Sequence, residues 1–147
     1  MKFISIISLI ILSMLTQGCS TRSDPDYGSN PEIALRSYLL GCKNKDIATT
    51  MKLYGGDYSI LDNWMNEKNH KKAFAAYLEE SCPNLNQIKE MKKISDDKYE
   101  ATVTFKNDDG TPFQVSRSDA SWEEFTYNLN KKEGIFKVDE LPRPYQP

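Results

Sequence analysis

The chain has 147 residues, is 39% hydrophobic and 27% charged, and carries a formal net charge of -2. That length holds one domain and excludes multidomain enzymes and large barrels. Mixed-sign charge at a pI of 5.5 excludes a dedicated nucleic-acid binder, whose footprint is a basic surface.

The hydrophobic residues form two populations. Eleven of the 57 lie in residues 1–18. Lys2 gives this stretch a positive start, Phe3 to Leu15 is an apolar run broken only by Ser5, Ser8 and Ser13, and Gly18 is a small residue before a possible cut. The run is too short for a membrane-spanning helix, which needs roughly 20 apolar residues, so it reads as a signal peptide. It ends in Leu15-Thr16-Gln17-Gly18-Cys19, which resembles the lipobox of bacterial lipoproteins. The resemblance implies a diacylglyceryl group on the Cys19 thiol, cleavage before Cys19, and a further acyl chain, such as palmitate, on the new amino group. Two or three chains anchor stably where one does so only marginally. Ser20, a residue other than Asp after the cysteine, implies by the same resemblance sorting to the outer membrane. The domain is expected to face the periplasm, and the competing reading is an ordinary cleaved signal.

With Cys19 assigned to lipid, Cys42 and Cys82 remain, an even pair in an oxidising compartment. A disulfide is favoured over two buried thiols. No C-x-x-C pair exists and the chain has one histidine, so neither a metal site nor a cofactor is expected.

Residues 19–30 read as the lipidated cysteine and a polar tether, which from Ser20 to Asn30 could reach at most roughly 36 Å. Asn30-Pro31 opens a helix carrying Ile33, Ala34, Leu35, Tyr38, Leu39 and Cys42 at helical spacing, ending near Gly41 or Cys42. Asp46 caps a second helix that Gly55-Gly56 terminates. A short helix is expected over Ile60 to Met65, and Asn69 caps a stronger one from His70 to Ser81, with Pro83 beyond it.

After Pro83 the period becomes two. Tyr99, Ala101, Val103 and Phe105 alternate with polar residues, Asn107 to Gly110 is a turn, and Phe113 and Val115 continue on its far side. Phe125, Tyr127 and Leu129 form another strand, turned at Lys131 to Gly134 and answered by Ile135 to Val138. A fifth strand near Ile88 to Ile94 competes with a helical reading, because Leu85, Ile88, Met91 and Ile94 recur every three residues. The prediction is α+β: a single domain over 31–141, its helices packed on a curved antiparallel sheet of four to five strands. A proline-rich tail over 142–147 is expected to be extended and frayed; the alternative is a partner-binding extended segment over Leu141 to Pro147.

The step Gly41 to Asp46, the strand Tyr99 to Phe105 and the ending Gly134-Ile135-Phe136-Lys137-Val138 resemble the cone-shaped fold of nuclear transport factor two and the ketosteroid-isomerase-like proteins. That resemblance implies a pocket with an acidic residue, a Tyr or a His among apolar side chains. Asp57, Asp62, Tyr54, Tyr58 and Trp64 lie in the segment that would cover it, and Trp64 and Trp122 could contact a ligand. The same residues serve equally as turn formers and core aromatics. His70, in Asn69-His70-Lys71-Lys72, reads as a solvated surface residue. Neither a nucleophile elbow, a zinc-binding helix motif, a P-loop nor a dinucleotide fingerprint exists.

The expected function is therefore a non-enzymatic, membrane-anchored lipoprotein of the cell envelope that binds a protein partner or serves in assembly. A small-ligand binder or enzyme using a cone pocket is the first alternative. An inhibitor or immunity lipoprotein against an envelope-degrading enzyme is the second.

Overall fold

Capping decides where the helices begin. In the computed structural model, which describes residues 25–80 and 82–144, each of four helices opens on a side chain that takes up an orphan backbone N–H. Asn30 accepts from Ile33 N at the head of α1 (Pro31–Lys43) and Asp46 from Thr49 N at α2 (Ile47–Leu53). Asp57 accepts from Ser59 N at α3 (Tyr58–Met65) and Asn69 from Lys72 N at α4 (His70–Glu79). The expected starts of α1, α2 and α4 hold. Helix α4 stops at Glu79, two residues short of the expected end, because Glu80 turns extended with ψ of 149°. The signal peptide, the lipobox with Cys19, and Tyr145 to Pro147 lie outside the described residues.

Gly41 lets α1 and α2 meet. A Cβ there would stand 2.5 Å from Thr50 Oγ1, and that hydroxyl is fixed by donating to the Asp46 carbonyl at 2.7 Å. At the other end of α2 the chain leaves the helix at Tyr54, which bridges to Val138, and Gly55 N donates to the Val138 carbonyl at 2.8 Å. The Gly55-Gly56 pair thus joins the helical layer to the sheet, and a Cβ on Gly56 would fall 2.0 Å from the Asp139 carbonyl.

Four antiparallel strands form the main sheet: β1 (Asn84–Ser95), β2 (Lys98–Lys106), β5 (Glu124–Lys132) and β6 (Ile135–Val138), in that spatial order. The short strands β3 (Val115–Ser116) and β4 (Ser121–Trp122) make a separate two-stranded sheet. The strand expected after the turn at 107–110 is therefore not a member of the main sheet. Its ladder with β2 reaches only Lys106–Pro112 and Phe113 N to the Phe105 carbonyl. Pro112 brings no N–H to extend it, and β5 takes the place beside β2.

The three-residue repeat in β1 has a specific cause. Leu85, Ile88 and Met91 face Phe105, Val103 and Ala101, and the register slips between Leu85 and Gln87 and again between Ile88 and Glu90. Each slip inserts one extra residue, Asn86 and then Lys89, so an alternation of two becomes a spacing of three while the side chains stay on one face. A third slip lies between Lys93 and Ser95. Bulges of this kind bend a strand and increase its twist. The sheet accordingly curls round α1, which touches both outer strands, β1 and β6.

Between helices and sheet the interior is filled by aromatic side chains. Tyr38, Phe74, Tyr77, Phe125 and Tyr127 are all buried, and Phe105 packs on both Phe125 and Tyr127 with ring centroids 5.7 and 6.2 Å apart. Cys42, near the end of α1, is disulfide-bonded to Cys82, just before β1, with Cα atoms 6.0 Å apart.

Candidate functional site

A buried tyrosine brings a hydroxyl that needs a partner, and three of them find theirs in one stretch of chain after β6. The Tyr38 hydroxyl donates to the Glu140 carbonyl at 2.8 Å and the Tyr127 hydroxyl to the Pro142 carbonyl at 3.1 Å. The Tyr77 hydroxyl accepts from the Arg143 backbone N–H at 3.2 Å. Residues 140–144 are thereby strapped across the core, and Pro142 and Pro144 are buried. The expected frayed tail does not begin at Pro142.

Glu140, Leu141 and Arg143 of this strap line a groove of about 520 Å³ together with Asp139, Tyr54, Ile60 and Trp64. A second groove of about 300 Å³ also has Trp64 and Arg143 in its lining, with Tyr77, Glu80, Pro83, Phe113 and Pro144. Ile60 and Trp64 are 53% and 51% exposed. The Arg143 guanidinium lies 4.2 Å from the Tyr77 ring centre and pairs with Glu80. Its buried Nε has no partner.

Glu140 has a different environment. Asn128 donates to its carboxylate twice, from the backbone N–H at 2.6 Å and from the side-chain amide at 2.7 Å. Burial pushes its pKa up, against the opposing pull of those hydrogen bonds. Asp139 is held by Lys132 at 3.0 Å and also accepts from the Asn130 amide.

The structure separates the residues singled out in the sequence. Tyr54 and Tyr58 are packing aromatics, edge to face at 5.0 Å. Asp57 caps α3, and its pKa is lowered first by the Ser59 side-chain hydrogen bond. His70 is half exposed, stacks on Tyr58 at 4.5 Å, and places Nε2 3.2 Å from an Asp62 oxygen. The other Asp62 oxygen is buried and unpartnered. No hydroxyl or thiol is hydrogen-bonded to His70 among the described residues. Trp122 faces Val115 across the small hairpin, partly buried against the core, and does not line the groove. Of the earlier candidates, the groove collects Tyr54 and Trp64.

The sequence reading does not single out Glu140, and it prefers a frayed end to a partner-binding extended segment over Leu141 to Pro147. The signal was present in the alternation Leu141-Pro142-Arg143-Pro144, where two prolines hold the backbone extended and display the residues between them. Among the described residues no group of three or more potential metal ligands occurs, and no helix is long and apolar enough to cross a membrane. No family model, curated protein or solved structure matches the chain.

Proposed function

We propose that the chain is a lipid-anchored module of the bacterial cell envelope, attached to the outer membrane through Cys19 and binding a protein partner on its periplasmic side. The observation that carries the binding role is the pair of half-exposed apolar side chains, Ile60 and Trp64, set on a groove that three tyrosine hydroxyls help to shape. Exposed apolar groups rimmed by polar ones mark interaction sites, and aromatic residues are enriched at the centre of interfaces. The anchor rests on the lipobox residues, and kinship with the cone-shaped superfamily on the step Gly41 to Asp46, the strand Tyr99 to Phe105 and the ending Gly134 to Val138.

Two measurements test it. Cys19→Ala should leave the membrane fraction and lose radiolabelled palmitate; a variant that still pellets with membranes defeats the anchor. A photo-crosslinking residue at Ile60 should capture a partner in intact cells, whereas one at Gln87, in β1 on the opposite side of the sheet, should not. Equal capture from both positions, or from neither, defeats the binding role of the groove.

A further inference from the structure

The chain enters the domain at one end of the main sheet. Tyr27 is the first buried side chain among the described residues, and its carbonyl accepts from Phe136 N at 2.8 Å. A Cβ on Gly28 would stand 2.9 Å from the Gly134 carbonyl, in the turn between β5 and β6. The β1–β2 turn lies at the same end, because Lys131 N donates to the Asp97 carbonyl at 2.8 Å. The turn from Asn107 to Gly110 follows the other end of β2, a nine-residue strand about 30 Å long. Fixing the chain at Tyr27 shortens the tether to the seven residues from Ser20 to Asp26, which reach at most about 23 Å. A lipid anchor at Cys19 therefore keeps the 107–110 end from being the one that rests on the bilayer.

The entry end carries an exposed apolar residue. Ile94 is 54% exposed and falls in the register slip between Lys93 and Ser95, so it has no partner in the ladder with β2. Lys98 and Lys131 are exposed at the same end. The carboxylates there are Asp26, Asp96, Asp97 and Glu133, of which three are already bonded, to Ser29, Lys93 and Lys137 respectively for Asp26, Asp96 and Glu133.

We propose that this end of the sheet rests on the membrane that holds Cys19, with Ile94 among the lipid headgroups and the ammonium groups of Lys98 and Lys131 on their phosphates. The inference rests on the lipid-anchor reading and adds a second contact to it. An apolar side chain beside long basic ones suits a headgroup layer, because the stems lie along apolar surface while the charged heads stay at the phosphates. The contact itself need not be strong, since a short tether supplies a high effective concentration of lipid surface. The bilayer is also the one surface that the tether keeps within reach at all times, which neither a second copy nor a periplasmic protein is.

The test places the acylated chain, one copy per disc, in nanodiscs of phosphatidylethanolamine and phosphatidylglycerol that contain a nitroxide-labelled headgroup lipid, and records NMR signal intensities. The expected result is loss of the Ile94 methyl and Gly134 amide signals while the Gly110 amide keeps its intensity. Ile94→Asp, at an exposed site, should restore much of the Gly134 signal. Leu40→Asp, at an equally exposed site near the Lys43–Asp108 pair, should not. Equal intensities at Gly134 and Gly110, or no effect of Ile94→Asp, overturns the inference. Signal loss at Ile94 that appears only with several copies per disc overturns it in favour of a contact between copies. The mass of the purified chain separates this inference from the reading beneath it: an acylated chain without selective signal loss overturns the second contact and leaves the anchor, and a chain without acyl mass overturns both.

Discussion

The hydroxyl of Tyr127 donates to the carbonyl of Pro142 at 3.1 Å, so a core side chain of β5 and the residue that starts the proline-rich end hold each other in place. Burial pushes the Tyr127 and Tyr38 pKa values well above the ordinary phenol range, and both rings stay neutral donors at any pH the fold meets. Tyr127→Phe removes the donor and leaves the Pro142 carbonyl to find another partner, which should lower stability by about 1 kcal/mol. Terminating the chain after Asp139 removes the partners of all three tyrosines and should cost more than the sum of the single Tyr→Phe changes. Urea unfolding of the variants measures both, and a truncated chain as stable as the Tyr127→Phe variant would contradict the strap.

The Cys42–Cys82 bond closes a loop between residues 40 apart in sequence, which encloses α2, α3 and α4. Chain entropy assigns such a loop about 4 kcal/mol, a large share for a small domain. Replacing both cysteines with serine should lower the unfolding free energy, read from urea denaturation, by that amount. A fall of less than about 1 kcal/mol would place most of the stability elsewhere.

Gly41→Ala places a methyl 2.5 Å from Thr50 Oγ1, an atom that cannot swing away without releasing the Asp46 carbonyl. The expected loss is about 1–3 kcal/mol. Thr50→Ala in the same chain removes the obstructing atom and should recover part of it. A double-mutant cycle showing no coupling would locate the strain away from this helix contact.

Carboxyl resonances should titrate in two directions. Asp108 is lowered first by its hydrogen bond from Lys43, and Asp46 by that from Thr49, so both should titrate below the ordinary aspartate value of 3.8. Their stabilisation is complete above that value and is lost as pH falls through the depressed folded-state values. Glu140 is raised by burial above 4.5, and its contribution has the opposite sign: greatest below 4.5, lost as pH rises through its higher folded-state value. Carbon-detected NMR of the three side chains checks the order, and a Glu140 midpoint below the two aspartates would refute the burial argument.

Local chemistry was legible in the sequence, and long-range chemistry was not. Asn30, Asp46 and Asn69 announce helix starts because a cap bonds a neighbour two or three residues on. The repeat of Leu85, Ile88 and Met91 stayed ambiguous because bulges sum with alternation to give a period near that of a helix, and only the partner strand reveals the slips. Phe113 and Val115 carried strand residues, yet Pro112 before them kept them out of the main sheet. The strap was the least visible part of the candidate site. Its anchor Tyr38 lies 102 residues from Glu140, and nothing in Leu141-Pro142-Arg143-Pro144 names the phenols that will hold it.

β1 ends the main sheet, with β2 as its neighbour on one side. A lipid anchor of the kind proposed here confines molecules to a plane, where copies meet far more often than in dilute solution. A long, flat edge in that setting would be a template for strand addition between neighbours. The register slips at Asn86, Lys89 and Ile94 break that template into short pieces, and the exposed lysines 89, 92 and 93, the first and last paired with Glu124 and Asp96, set charged side chains along it. The kinks that wrap the sheet round α1 would also keep copies crowded by such an anchor from zipping together edge to edge.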